Sequence, residues 1–324
     1  MLDLCLLGCG GTKPLPGRWL TSLYIRYNGH GILIDCGEGT QIAMASAGIS
    51  PHDIDLILIT HYHGDHILGL PGLLMSMGMS GRTAPVTIAG PKRLTEVVNS
   101  LCIVAGFPFD LSGIELSGNS ASFDFEKDSP LHIHAFAVHH SVPCYGYSLA
   151  LDRAGKFDAA KAAALQIPLK FWNILQKGTS VTEDGKTFTP DQVMGSARRG
   201  LKVTYCTDTT VCDSIVLAAK GSDLFICEGM YADAERAEAA GIKKHMVFTQ
   251  AAQLAKEAGV KKLWLTHFSP AESHPEEGLE AARAIFPETE LGENGKKITL
   301  NFRDETEVSV NRTATCWRLP KTLS

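Results

Sequence analysis

Thr60-His61-Tyr62-His63-Gly64-Asp65-His66 puts four metal-capable side chains, three imidazoles and a carboxylate, within six residues. They follow directly on residues 54–60 (IDLILIT), a continuous apolar run. Nitrogen and oxygen donors without cysteine suit zinc or a similar first-row divalent ion, in a catalytic site more than a structural one. Without a metal, packing His61, His63 and His66 at a strand end would strip water from polar rings that have no evident partners. The plain alternative is a solvated loop that happens to be rich in histidine. Three later positions repeat the placement of a ligand-capable residue after an apolar strand: His139-His140 after 133–138, Asp208 after 203–206, and His267 after 263–266. Counting one of the two adjacent histidines, seven candidate ligands result, enough for two ions that share a carboxylate and each keep an open position. Each open position can take a water or a substrate atom.

Strands are needed to bring these residues together, since α/β scaffolds build active sites from the ends of several strands. Residues 2–7 followed by Gly8, Gly10 and Gly11 read as a strand ending in a turn. Residues 22–27 and 31–35 read as a hairpin around Asn28-Gly29, a strong two-residue turn signal. A helix is expected over 40–47. The run 54–60 suits a strand buried on both faces. Further along, the pattern gives a strand at 86–89, a helix over 92–105, and strands at 131–138 and 146–151. After residue 200 the alternation resumes, with strands at 202–206, 224–227 and 262–266 and helices at 213–219 and 249–258. Both halves alternate strands with helices, which predicts a layered α/β body.

Residues 152–200 break this rhythm with a short alanine-rich helix (159–165), Pro168 and a Gly-Thr turn at 178–179. Over 152–202 there are nine basic and five acidic residues, a local balance of +4 in a chain whose net charge is −5. This reads as an arm inserted into a single domain spanning 1–324, against the plainer reading of a solvated excursion. The acidic balance argues against a protein held on nucleic acid by bulk charge, though not against a local basic arm. Nine cysteines, scattered singly and never as CxxC, read as reduced thiols in a cytoplasmic protein. No run of about 18 apolar residues exists, so no membrane span is expected. His30, His52, His132, His134 and His274 have no partner at ligand spacing and read as surface or strand residues. Gly8-Cys9-Gly10-Gly11 lacks the full phosphate-cradling pattern and reads as a turn.

The hexad His61-Tyr62-His63-Gly64-Asp65-His66 resembles the signature of the metallo-β-lactamase superfamily. With Ile67-Leu68-Gly69-Leu70-Pro71-Gly72-Leu73-Leu74 attached, it looks more narrowly like the ribonuclease Z family. LGCGGTKP at the start, Asp35-Cys36-Gly37-Glu38-Gly39-Thr40-Gln41, Gly90-Pro91, Asp208-Thr209 and Thr266-His267 are similar to the family's further motifs. The resemblance implies an α/β metallo-β-lactamase fold, a four-layer αββα sandwich with an inserted arm. It also implies a zinc-dependent phosphodiesterase that removes the 3′ trailer from precursor tRNA.

Carried over residue by residue, it implies two Zn2+ per subunit, with Mn2+ or another divalent ion as a substitute. One ion would be held by His61, His63, His140 and Asp208, the other by Asp65, His66, Asp208 and His267. His140 is chosen over His139 for its spacing to Gly146-Tyr147. Asp65 would orient and deprotonate the attacking water. His245, which alone would read as a surface residue, would protonate the leaving oxygen, with Glu228 holding it. The arm, residues 152–202, would grip precursor tRNA, and a homodimer would let the arm of one subunit serve the site of the other. Thr210 stands where the family usually has an arginine. Ser269-Pro270-Ala271-Glu272 lacks its arginine and tyrosine, Cys227-Glu228-Gly229 replaces its HEA, Ile167-Pro168-Leu169-Lys170 replaces its Pro-Pro-Gly-Pro-like arm tip, and Arg18-Trp19 its Arg-Asn pair. The alternative these differences favour is a related hydrolase of another phosphodiester, a cyclic nucleotide or small ester.

Overall fold

The computed structural model describes residues 1–127 and 129–302. The first half of the chain forms β1 (Leu2–Gly8), β2 (Ser22–Tyr27), β3 (His30–Ile34), β4 (Ile54–Leu58), β5 (Val86–Pro91) and β6 (Leu111–Leu116). Helices α1 (Thr40–Ala47), α2 (Gly64–Ile67), α3 (Leu70–Met79) and α4 (Leu94–Leu101) lie between these strands. The chain then crosses to β7 (Ser120–Asp124), β8 (Leu131–Val138) and β9 (Cys144–Arg153). An excursion follows, holding α5 (Ala159–Ala164), α6 (Leu169–Gln176), β10 (Val181–Glu183) and β11 (Lys186–Phe188). The body resumes with β12 (Arg198–Cys206), α7 (Asp213–Ala219), β13 (Leu224–Glu228), α8 (Ala237–Ile242), α9 (Phe248–Ala258) and β14 (Leu263–Thr266). It ends with α10 (Leu279–Ile285), β15 (Thr289–Leu291) and β16 (Lys296–Leu300).

Two seven-stranded sheets result, ordered β16-β1-β2-β3-β4-β5-β6 and β15-β14-β13-β12-β9-β8-β7. Their facing sides make one core. Leu4, Leu6, Ile32, Leu56 and Leu58 of the first sheet share it with Ile133, Tyr147, Leu149, Val203 and Tyr205 of the second. On β4 the intervening Ile57, and Ile59 just beyond it, point the other way, into a second core with Met44, Leu73, Leu74 and Met77 of α1 and α3. The run IDLILIT is apolar throughout because helices cover one face and a second sheet the other. Helices α7 and α9 cover the far side of the second sheet through Ile215, Phe248, Ala251 and Leu254. The layers are thus α, β, β, α.

Strand directions place the chemistry. β3, β4, β5 and β6 run parallel, as do β12, β13 and β14, and β8 shares the direction of β12 because both are antiparallel to β9. The residues after β4, β8, β12, β13 and β14 therefore collect at one edge. Asn28 and Gly29, at φ 51° and 95°, close the β2–β3 hairpin as the Asn-Gly signal predicts. The helix expected over 92–105 is shorter, since Arg93 sits at φ 72° and cannot begin an α-helix. The strand expected at 146–151 extends to Cys144–Arg153. Within the excursion the expected alanine-rich helix is joined by a second helix and a hairpin.

Candidate metal centre

β4 delivers its loop straight to the edge between the sheets. His61 and His66 are fully buried there, and His63 stands at the N-terminal cap of α2. His61 Nε2 lies 3.0 Å from His63 Nδ1, and His140 Nε2 lies 3.2 Å from the same atom. Asp208 Oδ1 is 3.9 Å from His61 Nε2 and 3.7 Å from His140 Nε2. On the other side, Asp208 Oδ2 is 3.0 Å from His66 Nε2 and 3.1 Å from His267 Nε2. Asp65 Oδ2 completes this second group, at 3.5 and 3.4 Å from the same two nitrogens. The seven expected ligands converge as two groups, and Asp208 offers one oxygen to each. His140 joins them; His139 is exposed, with its N–H on Thr209 Oγ1.

These spacings fit metal ions. Four donors about 2.1 Å from a tetrahedral zinc sit about 3.4 Å from one another. The His66 and His267 Nε2 atoms face each other at 3.3 Å, while Asp208 Oδ2 is buried with no hydrogen bond made to it. A buried carboxylate oxygen ringed by imidazole nitrogens in poor hydrogen-bond geometry is what a cation between them would leave.

The outer nitrogens of three rings, His66, His61 and His140, are fixed by neighbours, whereas His267 Nδ1 is buried without a hydrogen-bond partner. Asp35 Oδ2 receives His66 Nδ1 at 2.8 Å, and Asp35 Oδ1 accepts the Thr60 N–H at 2.8 Å. Thr60 Oγ1 meets His61 Nδ1 at 3.0 Å, and His140 Nδ1 donates to the Lys244 carbonyl at 3.3 Å. Such partners set the tautomer that leaves the other nitrogen free for a metal. The Thr12 N–H donates to Asp65 Oδ2 at 2.6 Å. The His267 ring leans on bare backbone at Gly11, where a Cβ would fall 2.6 Å from its Cε1. Asp35, Asp208, His267 and Thr12 all have φ between 52° and 69°. Left-handed backbone is uncommon for such residues and gathers at functional sites.

Burial drives the His61 imidazole well below its ordinary pKa and takes His140 to about 4, keeping both neutral as ligands must be. Burial acts the same way on His66, but Asp208 and Asp35 outweigh it and push that ring well upward. An imidazole made cationic by its carboxylates marks a place short of positive charge.

Beside the two groups, His245 Nδ1 lies 3.1 Å from Glu228 Oε2, and its ring stacks 5.6 Å from His267. Burial lowers the His245 pKa, but the bond to Glu228 more than reverses it, so the net shift is upward. Glu228 is fully buried, and its other oxygen accepts the Thr209 N–H. Where the sequence departs from its look-alikes, the structure shows a strap. Arg18 donates to the carbonyls of Ser269 (3.1 Å) and Glu272 (2.9 Å), and Glu272 Oε2 accepts the Ala232 N–H at 3.0 Å.

Asp35, Thr60, Thr12 and Gly11 escaped sequence reasoning as parts of the site. Asp35 follows an apolar strand as Asp208 does, so the rule that found Asp208 applies to it equally. His30, His132 and His274 sit outside the centre, each against a carboxylate.

A sequence family described as anti-Pycsar protein Apyc1 matches residues 2–107. Ribonuclease Z of Agathobacter rectalis is 52% identical over 306 residues, covering 94% of this chain and all of the relative. Human tRNase Z, short form, superposes with a TM-score of 0.66 at 24% identity, covering 93% of this chain and 100% of that one. The metallo-β-lactamase fold protein YhfI from Bacillus subtilis gives 0.65 at 20% identity, over 92% and 98%. Those two likenesses make the architecture a metallo-β-lactamase fold, and identity above one half along nearly the whole length means that the chain belongs to the ribonuclease Z family.

Proposed function

We propose that the chain is an endoribonuclease that cuts the 3′ trailer from precursor tRNA. The observation that carries this is the pair of ligand groups sharing Asp208, with the Glu228-bound His245 beside them, in a member of the ribonuclease Z family. We assign His61, His63, His140 and Asp208 to one ion and Asp65, His66, Asp208 and His267 to the other, as zinc or manganese. Two such ions, when bound, supply an activated water and neutralise charge on the phosphate. Asp65, steadied by the Thr12 N–H, orients the attacking water and takes its proton. The water oxygen bonds to phosphorus as the bond to the 3′ oxygen breaks. His245, whose hold on its proton is strengthened by the bond to Glu228, gives that oxygen its proton. The tRNA leaves with a 3′-hydroxyl and the trailer with a 5′-phosphate.

One domain with an inserted substrate arm is part of this reading. The arm leaves β9 at Arg153 and re-enters β12 at Arg198, whereas the ligands lie near Cys144 and Cys206, at the other ends of those strands. Ten residues of β9 put about 30 Å between the two. An arm that springs from the wrong end for its own site supports a homodimer in which it serves the partner's. The eight described cysteines are free, which supports a reducing compartment, the cytoplasm. No described helix is long and apolar enough to cross a membrane.

The test is cleavage of a 3′-extended precursor tRNA with zinc or manganese, with chelator, and with Asp65→Ala, beside a chromogenic phosphodiester. Single cleavage past the discriminator base, lost with chelator and in the variant, supports the reading. Turnover of the ester with the tRNA left intact sinks it and favours the small-substrate alternative.

A further inference from the structure

We propose that Lys92, Lys243 and Lys244 grip backbone phosphates on either side of the scissile one, making the basin selective for a polynucleotide over a lone phosphodiester. The inference rests on the endoribonuclease reading. All three side chains are exposed, and none makes an ion pair among the described residues. Of the other cations near the basin, Arg93 pairs with Glu96 and Arg18 is spent on two carbonyls, while Lys13, beside Thr12, is exposed like the three.

Backbone contacts fix where the three lysines start. Tyr62, between His61 and His63, donates its hydroxyl to the carbonyl of Pro91, next to Lys92. At the far side of the same ligand group, His140 Nδ1 donates to the carbonyl of Lys244 itself. The rings of His61, His63 and His140 form a triangle with centroids 4.6 to 5.0 Å apart, and His245 lies 5.4 Å beyond His140. Lys92 is tied to the Tyr62 side of this cluster and Lys243-Lys244 to its His140 side, just before His245. Glu96 and Glu115 share the cavity beside Lys92; Glu96 is paired with Arg93, and Glu115 accepts the Thr95 N–H at 3.5 Å while keeping its charge, so Lys92 contributes less than Lys243 and Lys244.

A small phosphodiester carries one negative charge, and the ligand groups already face it. Cations placed on both sides have work only if charges continue along the substrate, as they do on a nucleic-acid strand. Within a Debye length of about 8 Å, exposed lysines still act on such neighbours at physiological salt. In a chain of net charge −5, exposed cations on two sides of the ligand cluster supply a local attraction that bulk charge does not.

The test replaces the three by Lys92→Gln, Lys243→Gln and Lys244→Asn; asparagine tolerates the left-handed φ of 63° at 244. Cleavage of precursor tRNA and of bis(p-nitrophenyl) phosphate is followed across a range of salt. The expected result is a rise in KM for the tRNA of roughly threefold or more per lysine, with the salt slope reduced by about 0.7–0.9 for each. The loss on tRNA should exceed that on the ester at least fivefold, and arginine at 92 and 243 should restore it in part. An unchanged salt slope, or equal losses on both substrates, overturns the proposal while leaving the endoribonuclease reading standing. Wild-type enzyme that turns over the ester and spares the tRNA overturns both.

Discussion

β9 and β12 carry the metal basin at one end and the arm at the other, and the two ends are built to opposite standards. At the basin, His61, His66, Asp208 and His267 are buried, and most of their outer atoms are held by a second residue. At the arm, the apolar cluster has only Ala162, Ile167, Leu175 and Val193 buried, with Phe157, Phe171 and Trp172 leaning on it. Every residue of that cluster comes from the excursion itself, so it joins the body through the β9–β12 ladder from which it grows.

The comparison breaks most severely if the shared carboxylate is not shared. Asp208→Ala removes a donor from both groups at once, and cleavage of every phosphodiester should fall on the order of 10⁴-fold. Metal content by atomic absorption should drop for both ions, and loss of only one would show that the groups are independent. A smaller effect is expected beside the basin. Glu228→Gln should cost about 10–100-fold in kcat. Because the bond to Glu228 raises the His245 pKa above its ordinary value of 6.5, its proton is held to higher pH than on a free imidazole and is lost as pH rises through the raised value. The alkaline limb of kcat should therefore lie above pH 6.5 in the wild type and move to lower pH in Glu228→Gln. An unmoved limb would remove His245 as the proton donor. The smallest change in chemistry is expected at the arm. Arg153 and Arg198 are ladder partners, so residues 154–197 can be replaced by an Asn-Gly turn. That deletion should keep ester turnover within about threefold and the melting temperature within a few degrees, while KM for precursor tRNA rises about 100-fold, or some 2.7 kcal/mol. A collapse of ester turnover would mean that the arm supports the basin after all.

Much of the basin was legible because its donors are rare residue types set at the ends of apolar runs. The His-rich hexad, Asp208 and His267 all follow apolar strands, and the choice of His140 over His139 needed the spacing to Gly146-Tyr147 that the family resemblance supplies. Asp35 follows an apolar strand as Asp208 does and is marked by the same rule, but only the structure shows that its carboxylate holds His66 Nδ1. Backbone contributions were invisible: the Thr12 N–H and the Lys244 carbonyl belong to no side-chain pattern. In the arm, the Asp184-Gly185 turn was present, but its flanks lack the alternation that marked the β2–β3 hairpin, so β10 and β11 did not emerge. Helix α6 was hidden by its length of eight residues and by Pro168 at its cap. β16 closes the first sheet against β1 from the other end of the chain, a pairing that no local signal carries.

Gly11 has no functional group, yet the His267 ring rests where its side chain would be. In a library covering all single substitutions and selected for activity, position 11 should be depleted as thoroughly as the histidine codons. A survey that scored importance by chemical reactivity would pass over it. Information about this reaction is thus stored in an absence, and a side chain as small as alanine is enough to erase it.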